Sequence, residues 1–495
     1  MAQGTNGTGG GPVRLGSSAG RWVILATVLG SGIAFLDGSV VNVALPAIGR
    51  ELGGGFSVLQ WVLDGYMLTL SALLLLGGAL GDRYGRKRVF VIGLVLFTIA
   101  SFGCGFARDA TELIVARLLQ GVGGALLVPG SLALIDAVIA REDHGQAVGR
   151  WAGLSGVAAA LGPFLGGWLV DAVSWRWVFY INIPLAAVAL LVTLRHVPES
   201  RAGAGAGRLD FAGAIAITAG LGGAIYALIE APAHGWGPSG AVMAAIGVVG
   251  LVAFPLIERR QPNPLLPLEL LRSTQFVGVN LTTLVVYAAL GGALFLLTLQ
   301  LQTTLGYTAL AAGLATLPMT VVMMLLSGRM GGLTQRVGAR LPMTVGPVVA
   351  GLGLALMTMA RPGSSYVTGV LPAVLVFGLG MAITVAPLTS TVLASVDEEH
   401  VGAASGANNA VSRLASLLAV AVLPVTAGVN TGGGDTLGPG FARAMMISAV
   451  LCALGGLVSW FTIRRTTPVD QHTLPGVNQA CQHPCTRVPA APGRA

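Results

Sequence analysis

Charge is scarce in this chain. Only 10% of its 495 residues are Asp, Glu, Lys or Arg, where soluble domains carry about 25%. So thin a supply cannot cover a globule of this length with a water-loving surface. Lysine is nearly missing: of 28 basic residues, Lys87 alone is not arginine. Four cysteines and six histidines make neither a disulfide framework nor a metal set. Cys104 and Cys452 fall inside apolar runs, where a thiol acts as a small apolar side chain. Cys481, His483 and Cys485 share a polar, Pro-rich tail read as solvated. There is no Walker loop and no nucleophile motif, which argues against ATP hydrolysis and enzyme chemistry. The formal net charge of +8 comes from scattered bases that form no binding face, so nucleic acid is not expected as a partner.

Apolar sequence is abundant: 54% of residues are hydrophobic and mean hydropathy is +0.79. The 73 glycines and 25 prolines lie within the apolar runs, where glycine lets helices approach closely and proline is tolerated. A helical span needs about 20 such residues. Runs separated by polar turns predict fourteen spans, with 233–240 the least distinct turn. With both termini placed inside, five arginines lie outside (Arg50, Arg108, Arg176, Arg361 and Arg443), two lie within spans (Arg117 and Arg413), and the rest are cytoplasmic. That asymmetry puts both termini in the cytoplasm.

The spacing divides the chain into a disordered amino terminus (1–20), a six-helix bundle (21–195), a linker (196–209), two extra spans without buried charge (210–257), a second linker (258–273), a second six-helix bundle (274–463) and a disordered tail (464–495). The short cationic turn Gly78–Arg88 follows the second span. Gly331–Arg340 occupies the same place in the second bundle, repeating Gly78, Leu80, Arg83, Gly85 and Lys87 as Gly331, Leu333, Arg336, Gly338 and Arg340, with Gln335 at the place of Asp82. Such duplication marks transporters that rock two halves about a central site.

Several motifs carry a family resemblance. Gly78, Asp82, Arg83, Gly85 and Arg86 are similar to the loop between the second and third helices of major facilitator superfamily transporters. Leu36–Pro46 (LDGSVVNVALP) resembles the first-helix signature of that family's fourteen-helix drug:proton antiporters, with Ser39 where threonine is usual. Arg117, Gln120 and Gly121 match the fourth-helix pattern. Gly162, Pro163, Gly166 and Gly167 match the fifth-helix motif associated with antiport, with Ala158 replacing an upstream glycine. Ser174–Pro184 (SWRWVFYINIP) is also typical of that branch. The resemblance implies an all-α polytopic fold of two six-helix bundles and two central helices, in a bacterial cytoplasmic membrane. It implies a monomer without a cofactor that exchanges protons for a drug or antibiotic that is hydrophobic, with cationic compounds included. A proton-coupled uptake symporter and a non-transporting receptor are the alternatives.

Ionisable groups within a bilayer are costly and usually functional. Asp37, Asp64 and Arg117 all come to roughly 9–12 Å below the outer surface at 1.5 Å rise per residue, which predicts one polar cluster in the first bundle. Burial favours a neutral carboxyl and a nearby guanidinium favours the anion, so Asp37 or Asp64 is the expected proton carrier, with Arg117 modulating it. A static Asp–Arg pair is the alternative. Asn42, Trp61, Tyr66, Gln120, Asn408, Asn409 and Arg413 are the cavity candidates. Trp61 and Tyr66 flank Asp64 and offer aromatic faces to a cation, although Trp61 serves equally as an interfacial anchor. Arg413 faces either an anionic substrate group or neighbouring carbonyls. Trp175 and Trp177 read as interfacial anchors; Asp136 and Glu230 read as span-end residues that reach water. Asp82 is expected to latch across the halves in one state, and the Pro163 kink with its glycines to seal their interface.

Overall fold

The computed structural model describes residues 13–201, 209–261, 268–397, 401–429 and 437–464. Among them, fourteen helices are long and apolar enough to cross a membrane. They are α1 (Ser18–Leu52), α2 (Gly55–Tyr84), α3 (Arg86–Phe106), α4 (Ala110–Val138), α5 (Arg141–Ala172), α6 (Trp177–His196), α7 (Phe211–His234), α8 (Pro238–Glu258), α9 (Thr274–Thr304), α10 (Ala309–Thr334), α11 (Arg340–Met357), α12 (Tyr366–Ala394), α13 (Gly402–Thr426) and α14 (Gly438–Thr462). An even number of crossings among the described residues puts Val13 and Arg464 on one face, here the terminal face; the opposite one is the far face.

The packing repeats. In the first lobe α1 packs on α5 and α6, α2 on α4, and α3 on α4 and α6. In the second, α9 packs on α13 and α14, α10 on α12, and α11 on α12 and α14. The lobes meet where α2 packs on α13 and where α5 packs on α10, contacts that interchange when the lobes are exchanged. Glycine sets the closest approaches. An added Cβ on Gly123 would lie 2.6 Å from the Phe97 nitrogen, so α3 and α4 touch backbone to backbone.

α7 and α8 form a hairpin of their own, joined through Gly220 and Gly223 against Gly247 and Gly250; a Cβ on Gly223 would lie 2.6 Å from the Gly247 nitrogen. Leu221, Ile225 and Ile229 of α7 pack on Leu68 and Ala72 of α2 and on Leu417 and Ala421 of α13. The extra pair therefore covers one seam between the lobes. It also differs from expectation: Asp210 and Glu258, at its terminal-face ends, are buried at 1% and 2% exposure. Asp210 caps α7, accepting from the Gly213 nitrogen at 2.8 Å, and that role draws its carboxylate inward.

Residues 13–20 correct the expected disordered start. The Val13 nitrogen donates to Val138 at 2.9 Å and its carbonyl accepts from Ala140 at 3.0 Å. Leu15 is buried, and its nitrogen donates to Asp143. Ser17 caps α1 through the Gly20 nitrogen at 3.1 Å. The tail expected from 464, apart from Arg464, lies outside the described residues, as do residues 1–12, half of the 196–209 linker and part of the 258–273 linker, where Leu268–Arg272 forms a short 3-10 helix.

Candidate functional site

Asp37 on α1 and Arg117 on α4 meet at 2.5 Å, Oδ2 to Nη1, and neither has any exposed surface. Gln120, one turn along α4, donates Nε2 to Asp37 Oδ1 at 2.8 Å and accepts from Arg117 Nη1 at 2.8 Å. Asn182 on α6 donates to Asp37 Oδ1 at 3.0 Å and to Ser101 Oγ on α3 at 3.1 Å. Arg117 Nε bonds the Val62 carbonyl of α2 at 2.9 Å, and its Nη2 is buried without a hydrogen-bond partner among the described residues. Tyr66 lies flat beneath the guanidinium, 4.4 Å from its ring centroid, and donates to the Ala34 carbonyl at 3.2 Å. A single carboxylate thus ties α1 to α4 and α6, and its arginine adds α2. In a dry interior such pairs persist only when hydrogen bonds complete them.

The expected cluster of three is a cluster of two. Asp64 is 1% exposed, yet neither carboxyl oxygen has a hydrogen-bond partner. Helical geometry explains the split. Gly65 is the α2 residue that faces Arg117 and Leu118 on α4, so Asp64 is turned away from Arg117. Gln60, one turn before it, donates to the Val420 carbonyl of α13 at 2.6 Å, which places Asp64 on the stripe of α2 nearest the seam.

Sequence reasoning missed Asn182 and Ser101, which looked like ordinary polar residues in apolar runs. It also read Cys104 as merely apolar, whereas its Sγ donates to Gln120 Oε1 at 3.4 Å. Trp61 is neither free nor a lipid anchor: Nε1 donates to Glu230 of α7 at 2.7 Å, and His234 sits 3.0 Å from the same carboxylate. Glu230 is therefore a docking group rather than a span-end residue in water. Trp175 is 3% exposed and donates to Glu51 at 2.6 Å, so it is buried packing, while Trp177 is exposed. Asn42 turns back on its own helix, donating to the Gly38 carbonyl at 3.0 Å.

Within the second lobe, Asn408 on α13 donates to Asn280 at 3.1 Å and to Thr283 at 2.8 Å, both on α9. Arg413 donates Nε to Asn409 at 3.1 Å, and its guanidinium lies 5.7 Å from the ring centroid of Phe35 on α1.

The fifth-helix motif works at two contacts. Gly162 and Gly166 meet α1 at Ser39 and Val40, so the small serine lies where the motif is tightest. Gly167 meets the backbone of Ala309 and Leu310 at the start of α10, and Gly313 of α10 meets the Pro163 carbonyl. One turn beyond, Asp171 accepts from the Ala309 nitrogen at 3.1 Å and the Leu310 nitrogen at 2.8 Å. A carboxylate on one lobe thus caps a helix of the other, on the far face, where the helix dipole favours negative charge. Gln302 adds a bond to the Val43 carbonyl at 2.9 Å. Toward the terminal face, Gly145, Gly149, Gly153 and Gly156 of α5 and Gly328 and Gly332 of α10 have no neighbour for an added Cβ within 4 Å. The α5–α10 seam is closed at the far face and parted at the terminal face.

In the Gly78–Arg88 turn, Asp82 pairs with Arg86 of its own lobe at 2.9 Å and stays 44% exposed. Arg83 lies over the Tyr84 ring at 5.7 Å. Gly78 faces Pro129, with 3.6 Å left for a Cβ, and Gly85 has φ +112°, which only glycine adopts at ease.

The family model described as "Major Facilitator Superfamily" matches residues 27–420. The "Multidrug resistance protein Stp" of Mycobacterium tuberculosis is 37% identical over 402 residues, covering 81% of this chain and 74% of that protein. The "Puromycin resistance protein pur8" of Streptomyces alboniger is 37% identical over 413 residues, covering 81% of each. Among solved structures, a D-xylose-proton symporter superposes with a TM-score of 0.65 at 16% identity, covering 91% of this chain and 99% of the symporter. Duplicated helix pairing, the Asp37–Arg117 network, the α5 glycine motif and these matches agree: the chain belongs to the Major Facilitator Superfamily.

Proposed function

We propose that this chain exports hydrophobic drugs or antibiotics through the cytoplasmic membrane in exchange for protons, by alternating access of its two lobes. The relatives' names support the export reading: a multidrug resistance protein, a puromycin resistance protein and a "Tetracenomycin C resistance and export protein" at 32% identity. The arginine asymmetry supports placing the terminal face in the cytoplasm. In that orientation the parted α5–α10 seam faces the cytoplasm, the side from which an exporter loads. The protein works as a monomer in lipid, and transport is not coupled to enzyme chemistry.

The observation that carries the proton coupling is Asp37, an enclosed carboxylate whose partners sit on other helices. A proton on Asp37 Oδ2 turns that oxygen from acceptor to donor and removes the charge paired with Arg117, while Oδ1 still accepts from Gln120 and Asn182. A ligand shifts a two-state equilibrium only by its differential affinity for the two states, and a proton there has such an affinity because it breaks the ion pair that joins α1 to α4. Asp64, buried without a bonded partner, is the second carboxyl offered to protons.

Everted vesicles with an imposed inside-acid gradient test the reading. Uptake of a hydrophobic fluorescent dye, with matching alkalinisation of the lumen, is expected from the intact protein. Dye movement with no dependence on the gradient contradicts it.

A further inference from the structure

Arg413 lies near the middle of α13, about 17–20 Å from either end of the helix at 1.5 Å per residue. It is only partly buried. The direction of its side chain shows what it is open to: the guanidinium reaches across the lobe boundary to Phe35 of α1 at 5.7 Å. It therefore faces the space between the lobes and not lipid. Among the described residues its one hydrogen bond is from Nε to Asn409, and no carboxylate lies within ion-pairing distance of it. An arginine at this depth costs several kcal/mol unless something compensates it.

The nearby charges do not. Asp37 is enclosed and already shared among Arg117, Gln120 and Asn182. Asp64, on the seam side of α2, is 1% exposed and not within ion-pairing distance of Arg413, so with Asp37 and Arg117 neutral as a unit no described carboxylate offsets Arg413. The groups suited to a cationic cargo are out of reach. Tyr66 has no exposed surface and its face is covered by Arg117, while Trp61 is held by Glu230. What remains partly exposed beside Arg413 is the Phe35 and Tyr287 rings and the amide of Asn409.

We propose that Arg413 is the counter-ion for an acidic group on the cargo. The substrate class is then a hydrophobic, largely aromatic molecule carrying a carboxylate or an acidic phenol, held by the two outer guanidinium nitrogens in a bidentate contact. This deepens the export reading above and rests on it. It departs from the cationic cargo expected from Trp61 and Tyr66.

The test is equilibrium binding to the full chain in lipid nanodiscs, read by fluorescence anisotropy. The probes are two xanthene dyes of similar size, fluorescein (anionic) and tetramethylrhodamine ethyl ester (cationic). Fluorescein is expected to bind at least about tenfold more tightly. Arg413→Gln is expected to erase that preference by weakening fluorescein, and Arg413→Lys to keep part of it. Retained or tighter binding of the cationic dye by Arg413→Gln shows that the variant is folded. Tighter binding of the cation by the parent protein, or a preference that survives Arg413→Gln, overturns the proposal. Anion-selective binding without gradient-driven transport contradicts the export reading and leaves the ligand class standing. Gradient-driven pumping confined to cations does the reverse.

Discussion

Arg117 Nη1 sits 2.5 Å from Asp37 Oδ2 with both side chains fully enclosed. Breaking such a pair from one side leaves a bare charge in the interior, which costs about 3–5 kcal/mol. Arg117→Ala is therefore expected to lower the thermal midpoint in detergent sharply, and Asp37→Asn to lower it less, because the amide still offers an oxygen to Arg117. Equal losses in the two variants would show that the pair is not the principal restraint on the first lobe.

Asp171 and the α10 amino terminus form the far-face latch. Asp171→Ala removes two charge-assisted bonds, worth roughly 1.5–3 kcal/mol each at most, and shifts the protein toward opening on the far side. A single reporter cysteine at Ala47, close to the latch on α1, should react several-fold faster with an impermeant maleimide added from outside intact cells. Unchanged labelling means that the latch is ornamental to the equilibrium.

The glycines of α5 divide by position. Gly167 touches the α10 backbone now, whereas Gly153 and Gly156 face open space. Gly156→Leu fits the present state and obstructs closure of the terminal face. It should leave the melting temperature within about 2 °C of the parent and stop transport. Gly167→Leu should instead destabilise the far-face seal. Normal transport by Gly156→Leu would mean that the parted seam never closes at that level.

Trp61 and Glu230 bind the extra hairpin to the first lobe. Trp61→Phe keeps the ring and removes one hydrogen bond, leaving the Glu230 carboxylate with His234 alone. A loss of about 1–2 kcal/mol is expected, read as a lower thermal midpoint with transport largely preserved. Loss of transport at unaltered stability would give the hairpin a working part in the cycle.

The number of helices and the family were legible because apolar length and glycine spacing are local properties. Asp37, Arg117 and Gln120 were legible because charge in an apolar run is conspicuous. Asp64 was misassigned to their cluster since equal depth says nothing of azimuth: Gly65, not Asp64, faces α4. Asn182 and Ser101 escaped notice because an amide or hydroxyl in a span is common and gains meaning only from the carboxylate opposite it. Asp171 and Glu230 sit at helix ends, where a carboxylate reads as solvated until a partner helix is seen to arrive. Ordering of Val13–Gly20 depends on the α4–α5 turn more than a hundred residues away, which no local pattern announces.

The coupling claim rests on Asp37, and one measurement reaches it directly. Dye-induced proton movement is recorded in everted vesicles holding equal amounts of parent protein, Asp37→Asn and Asp64→Asn. Asp37→Asn is expected to bind dye with affinity close to the parent's and to release no protons in exchange, with Asp64→Asn reduced but coupled. Full proton exchange by Asp37→Asn would contradict the account.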